Sequence, residues 1–557
     1  MGIRSGLVAG MCLLAIGCSE PAEVASPAPS EEEIRFAAEM ATLADITGRD
    51  IRAQMVILAD DAMAGREAGS VAYDQAAAHV ARLFAETGLN PLGEAGTFFQ
   101  NIEFFETRLI PDSASTSLHA AGVTTELIFA EDFVRSGGYG EAVESITAPL
   151  VFAGYGITAP EYDHDDYAQL DVDGKILVLL SGAPAHFATD QRAFYSSGRT
   201  KRALAAAKGA LGIVSVRTPV DQARRPWDRY LSGIGRPGMR WLDTSGAPHG
   251  AYPQMSGSAA LSETGAAKLF AVAGLNLEEI FAHHAAGGTR SFALNVDASL
   301  SRTSSQRTVS SANVLGLVPG SDPILRDEYV VYTAHLDHIG IRPGVDGDDI
   351  HNGAYDNAAG IGIIVEIARS MMQLPPRRSV IFAAVTAEEK GLQGSSYLAK
   401  NSPVPLDSLV ANINIDMPFL GFPVSDVEAF GAEHSSLLAA VTQATRELNM
   451  GLTPDPMPEE VRFVRSDQFS FVQEGIPALA FKAGSQSSDP TIDGKAMLSE
   501  FLKSHYHRPS DDLSLPYSNE GAERFARAAA RVGFIVANDD ERPTWNPGDF
   551  FGERFAR

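Results

Sequence analysis

Cysteine is nearly missing from this chain. There are 2 in 557 residues, Cys12 and Cys18, both close to the N-terminus. No pair remains downstream to close a disulfide, so stability has to come from packing or from bound metal. Bases are scarce too: 44 Lys and Arg face 70 Asp and Glu, a formal charge of −26. A polyanion of that strength repels nucleic acid and anionic membrane surfaces at long range, which excludes both as partners of the folded body. Long apolar runs are lacking beyond the N-terminus, so no later segment has the length and character to cross a bilayer. What remains is globular composition, 45% hydrophobic and 20% charged, in a chain too long for one ordinary core.

The N-terminus reads "MGIRSGLVAGMCLLAIGCSEP". Arg4 is the only charge before an apolar stretch too short to span a bilayer, and Ala15-Ile16-Gly17-Cys18 comes next. Residues 1–18 read as an export signal. They resemble the lipoprotein type, cut before Cys18 so that this cysteine carries lipid; an ordinary secretory signal is the competing reading. Residues 19–33, "SEPAEVASPAPSEEE", show no apolar period and read as a flexible tether. The expected location is therefore the cell envelope, periplasm or outer membrane, through a lipid anchor on Cys18, or else secretion.

Residues 73–86, "YDQAAAHVARLFAE", place Ala77, Val80, Ala81, Phe84 and Ala85 on one helical face, with Gly88 as the stop. From about residue 146 to 300 short strand-like pieces dominate. Among them lies "TAPEYDHDDYAQLDVD", an acidic loop without the ligand spacing of an EF-hand, read as solvated surface. From about Asn313 strands and helices alternate. The expected fold is α/β, with a central, mostly parallel mixed sheet flanked by helices and ligands bound at the carboxyl ends of its strands.

Metal-capable side chains collect at those strand ends. In "AHLDHIG", His335 and Asp337 share a face of an extended chain, and a ligating histidine needs its second ring nitrogen held. In "DIHNGAYDNAAG", Asp356 sits on a turn before a helix in which Gly360 and Gly362 point to close backbone approach. "VIFAAVTAEE" ends on Glu388 and Glu389; where a strand gives way to a loop, neighbours point apart, so one acid can hold a cation while the other handles a proton. "NINIDMPF" adds Asp416 at another strand end, costly if buried unpaired. "SHYHRPSDD" offers His505 and His507, with Asp511 and Asp512 behind. His338 and His351 read as flanking residues.

This ordered set, His-x-Asp, Asp-Asn, Glu-Glu, Asp and Tyr-His, resembles the dizinc aminopeptidase family, whose relatives include secreted bacterial aminopeptidases, transferrin receptor and glutamate carboxypeptidases. "LADDAMAGREAGS" is similar to the family's N-terminal portion, and "VFAGYGITAPEYDHDDYAQLDVDGKILVLL" to its protease-associated insert. The resemblance implies a peptidase domain over 34–140 and 301–540, interrupted by a mainly-β insert over 141–300, with a C-terminal tail at 541–557. It implies two Zn2+ ions. His335 and Asp416 would hold one, Glu389 and His507 the other, and Asp356 would bridge them. Asp337 would orient His335, Glu388 would be the general base toward a water held between the metals, and Tyr506 would donate to the developing oxyanion. Relatives carry a cis peptide after the bridging acid, here Asp356–Asn357. Tyr506-His507 followed by Asp511 fits the family register, with His505 the competing ligand. Gln468 stands where many relatives have histidine.

The implied activity is release of N-terminal residues from peptide substrates. A carboxypeptidase of the same fold would need cations for a terminal carboxylate, and Arg462 and Arg465 are available. A single-zinc glutaminyl cyclase and a non-catalytic receptor or scaffold are the other readings, and both expect fewer ligands than are present.

Overall fold

The computed structural model describes residues 1–3, 6–7, 30–342, 347–457, 460 and 462–557. Cys18, most of the export signal and the tether to residue 29 lie outside the described residues. Ser30 to Glu33, inside the stretch read as tether, belong to a capped helix. The Ser30 hydroxyl accepts from Glu33 N at 3.2 Å, and the Glu33 carboxylate accepts from Ser30 N at 2.7 Å. That capping box starts helix Glu31–Ala44, and the glutamates that looked like tether fill its first turn, where the helix dipole favours negative charge.

The helix expected at 73–86 spans Val71–Thr87, with Ser70 accepting from Tyr73 N and Gly88 closing it at φ 90°. Tyr73, Ala76, Val80, Leu83 and Phe84 form the buried stripe, whereas Ala85 is exposed. Residues four apart drift around a 3.6-residue helix, so the row Ala77, Ala81, Ala85 has turned to solvent by its last member.

Among the described residues ten strands make the main sheet: Gly238–Trp241, Phe99–Leu109, Ser291–Val318, Ser379–Val385, Tyr329–His335, Leu409–Ile415, Ala478–Ala483, Asp426–Phe430 and Gly451–Leu452 in that spatial order, with Asn90–Pro91 paired to the end of Ser291–Val318. The strands from Ser379–Val385 to Ala478–Ala483 are mutually parallel. Ser379–Val385 and Leu409–Ile415 are buried at every position, as strands covered on both faces must be. Along Tyr329–His335, Val330, Tyr332 and Ala334 enter one core with helices Ala359–Gln373 and Asn519–Asn538, while Val331 enters the other.

Ser291–Val318 belongs to two sheets. Its second half pairs in the main sheet; its first half, irregular between Ala293 and Asp297, pairs with Val143–Ala153 and Ser115–Ala120. Ile176–Leu180, Gly212–Val216 and Ala259–Leu261 then add in parallel. The insert expected to be mainly β is instead α/β, with helices Thr189–Ser196, Gly198–Ala207, Glu263–Val272 and Leu277–Ala285 beside its strands. Parallel neighbours need long crossovers, and those helices supply them. Sheet membership also starts upstream of 141, at Ser115. Residues 541–557 are packed, with helix Phe550–Phe555 capped by Asp549 and Phe551 fully buried. Among the described residues no helix is long and apolar enough to cross a membrane.

Candidate metal centre

The parallel strands deliver their ends to one place. His335 closes Tyr329–His335, Glu388 and Glu389 come after Ser379–Val385, and Asp416 after Leu409–Ile415. Asp356 lies on the turn into Ala359–Gln373, and His507 in the loop after Gly494–Ser504. His335 Nε2 is 3.1 Å from Asp356 Oδ1 and 3.2 Å from Asp416 Oδ1. His507 Nε2 is 3.2 Å from Asp356 Oδ2 and 3.2 Å from Glu389 Oε1. Asp356 thus presents one carboxylate oxygen to each of two histidine–carboxylate groups. The peptide between Asp356 and Asn357 is cis.

His338, read from the sequence as a flanking residue, is fully buried inside the second group. Its Nδ1 is 2.9 Å from Glu389 Oε1 and 3.9 Å from Asp356 Oδ2. Neither ring nitrogen makes an aligned hydrogen bond, and Glu389 Oε1 makes none either. His505 faces away, its Nδ1 2.9 Å from Ser510 Oγ at the surface. His351 is buried, and its own pKa is lowered to about 4, first by burial and then by His338.

The bracing explains several motif residues. His335 Nδ1 is 3.0 Å from the main-chain oxygen of Asp337 and 4.0 Å from its carboxylate. So Asp337 holds His335 through its carbonyl, while its side chain accepts from Glu388 N at 3.0 Å and Glu389 N at 3.3 Å. The carboxylate expected to orient the histidine instead fixes the glutamate pair. Asp511 does the same for Asp356, accepting from Tyr355 N and Asp356 N at 3.0 and 3.1 Å. Asn357 links two ligand loops, donating to Ile415 O and accepting from Met417 N and Gly360 N. A Cβ at Gly360 would lie 2.2 Å from Asn357 Oδ1, which is why glycine stands in the first turn of helix Ala359–Gln373. Sequence reasoning missed Arg66. Fully buried, it donates to Leu336 O, Leu58 O, Asn352 O and Gly353 O, clamping the loops on either side of the centre. Gln468 is buried and hydrogen-bonded to Asn414 Nδ2 at 3.1 Å, a packing role rather than a pocket contact.

The electrostatics are those of a cation site. Burial raises Asp356, yet His335 and His507 bring it down to about 2. Burial also raises Asp416, but Lys482, His335 and Ser466 hold it well below the carboxylate range. Asp337 and Asp511 are each pushed up to about 7, chiefly by burial. Asp467, fully buried with no hydrogen-bond donor on either oxygen, is raised to about 6, first by burial. His335 is raised well above its usual value: Asp356 and Asp416 overcome its burial. A field that would keep a proton on a buried imidazole is also one that draws a multivalent cation. Ligand atoms of His335, Asp356 and Asp416 lie within 4.8 Å of one another, as do those of His338, Asp356 and Glu389. Mixed imidazole and carboxylate donors suit zinc, and the unpaired His338 and Glu389 atoms are what a shared metal would satisfy.

A mixed sheet whose parallel strands converge on two histidine–carboxylate groups sharing one aspartate is a scaffold suited to holding divalent metal. Residues 313–533, which carry all of these ligands, match Peptidase family M28. Aminopeptidase Y of Saccharomyces cerevisiae is 26% identical over 233 residues, 40% of this chain and 38% of that protein. A probable zinc metalloprotease of Leptosphaeria maculans is 33% identical over 164 residues, 27% of this chain and 36% of its own. Aminopeptidase YwaD of Bacillus subtilis is 33% identical over 108 residues, 19% of this chain and 22% of that one. The matches thus span well under half the length of these curated relatives. Among solved structures, the aminopeptidase from Aneurinibacillus sp. strain AM-1 shares the fold, with TM-score 0.52 at 18% identity over 92% of this chain and 99% of that one.

Proposed function

We propose that this protein is a zinc-dependent aminopeptidase with two metal positions, one at His335 and Asp416, the other at Glu389 with His507 and His338, sharing Asp356. The observation that carries the reading is Asp356 itself, whose two oxygens serve two separate groups 3.1 and 3.2 Å away. Zinc bound there would lower the pKa of a water and polarise the scissile carbonyl. The chain's own groups do the rest. Glu388 is the one glutamate of the pair outside the ligand groups. Burial raises it well above the carboxylate range, His335 opposes this, and Asp467, Asp416 and Glu389 reinforce it. A carboxylate so placed takes the attacking water's proton and passes it to the leaving amine. Burial first, then Asp356, Glu389 and Glu388, hold the Tyr506 phenol well above its usual value. It therefore stays protonated and serves as donor to the carbonyl oxygen as negative charge grows there. Asp337 positions both glutamates and His335 at once.

Arg462, a candidate for a carboxypeptidase, is committed to Asp455 and Glu428, and Arg465 pairs with Glu460. Neither is left to hold a terminal carboxylate at the cleaved residue, and the relatives named aminopeptidase support action at the amino end. The test is chelation followed by zinc add-back, reading release from a free-amine peptide and its N-acetylated twin. Loss and recovery on the free-amine peptide alone is the expected result. Chelator-resistant turnover removes the metal, and C-terminal trimming of the acetylated peptide turns the reading to a carboxypeptidase. An export route through Cys18 completes the proposal.

A further inference from the structure

Residues 199–240 carry 10 bases against 2 acids in a chain whose overall charge is −26. The fold brings part of that stretch against the metal centre. Helix Gly198–Ala207 sets Arg199 on the turn just past the glutamate pair: Nη2 donates to Gly391 O at 2.9 Å, and Gly391 N donates to Glu388 O at 2.8 Å. Strand Gly238–Trp241 places Arg240 beside it, Nη1 3.5 Å from Lys390 O and the guanidinium 5.3 Å from the Tyr139 ring. Arg202 is on the Arg199 helix three residues on, so the two share a face. Arg236 approaches from the His351 side, its Nε buried without a partner.

Among the described residues none of these four arginines meets a carboxylate at ion-pair distance, whereas Arg342, Arg462 and Arg465 each do. Arg199 is exposed and Arg202 half-buried, so both can meet a solute. Desolvation, then the charges of Arg240 and Arg202, lower Arg199 to about 10, and Glu388 opposes this. Like charges gathered without anionic partners are unfavourable until an anion joins them, and guanidinium forks match carboxylates. Across from them stands the acid-rich centre. A short peptide has the same layout, with its ammonium at one end and its carboxylate at the other.

We propose that Arg199, Arg202, Arg236 and Arg240 form a carboxylate-recognition wall, making short peptides with a carboxylate a few residues from the cleaved bond the preferred substrates. This rests on the aminopeptidase reading and narrows its substrate class. The carboxylate is either the peptide's own C-terminus or an acidic side chain next to the cleaved bond.

Three peptides on one backbone separate the cases: leucyl-glycyl-glycine as the free acid, the same peptide as its C-terminal amide, and leucyl-glutamyl-glycinamide. The wild-type protein should prefer the free acid over the plain amide by about tenfold or more in kcat/KM, the scale of one charge-assisted contact. Arg199→Ala with Arg202→Ala should collapse that preference toward unity, and Arg199→Lys should retain part of it. Arg236→Gln, remote from the Glu388 turn, should weaken the preference independently if the double variant folds poorly. Preference for the glutamyl amide over the plain amide assigns the wall to an acidic side chain. Equal wild-type kcat/KM on all three peptides, or a preference that survives the arginine variants, overturns the wall. Calorimetric titration of Glu388→Gln protein with the acid and the plain amide keeps the two readings apart. Preferential binding of the acid without wild-type turnover sinks the peptidase and leaves the wall standing; equal binding sinks the wall whatever the turnover.

Discussion

His434 should make this protein lose stability between neutral and alkaline pH. Its Nε2 lies 2.9 Å from Asp190 Oδ2 and its Nδ1 2.6 Å from Asp549 Oδ2. Asp190 is on helix Thr189–Ser196 and Asp549 caps helix Phe550–Phe555, so one ring staples three parts of the fold. Glu433 is the further charged neighbour, and Phe463 and Phe551 cover the ring. Burial alone would lower the imidazole, but the bonds to Asp190 and Asp549 overcome it and raise the pKa to about 9. The unfolded value is about 6.5. A folded pKa above the unfolded one means stabilisation that is complete below ~6.5 and fades as pH rises through ~9. A gap of ~2.5 units at ~1.36 kcal/mol each is about 3 kcal/mol. At ~2.1 cal/mol/K per residue for a chain of this length, that is about 3 °C in Tm. Scanning calorimetry of wild type and His434→Gln at pH 6 and pH 10 isolates the effect, since every other titration is common to both. The wild type should lose about 3 °C more than the variant over that interval. Parallel losses would refute the staple, and a larger loss in the variant would reverse its sign.

Other consequences are open to direct measurement. Asp337→Asn keeps the shape but turns an NH2 toward one of the two main-chain N–H groups that the carboxylate accepts from; zinc affinity by chelator competition should fall ~10–100-fold and kcat with it. Unchanged affinity would mean that the carboxylate does not position the ligands. His338→Ala should lower bound zinc in elemental analysis, whereas His505→Ala should not; equal metal content in both would return His338 to the role of a flanking residue. Gly533→Ala puts a Cβ 1.9 Å from the buried Tyr332 hydroxyl and should lower stability by about 1–3 kcal/mol in denaturant melts, with a silent substitution contradicting the packing. Glu388→Gln should keep its metal and lose turnover ~10²–10⁴-fold; an active variant removes Glu388 as the base.

Much of this was written in the linear chain. Strand periods ending in His335, Glu388, Glu389 and Asp416 are local patterns, because a buried parallel strand must stay apolar until it emerges, and the residues just past its end are the ones free to expose chemistry. The glycine at 360 announced its close approach for an equally local reason, the absent Cβ whose place Asn357 occupies. Tertiary structure alone decided the rest. Which atom of Asp337 meets His335 depends on how two strand ends abut, and no spacing encodes it. His338 and Arg66 become part of the centre only because the segment around residue 66 and the Gly353 turn fold over the strand ends. The helices of the 189–285 region escaped notice because each is short, so their periodicity is weak until packed. Residue order determined which side chains were available for metal; convergence in space, through contacts hundreds of residues apart, decided which of them meet it.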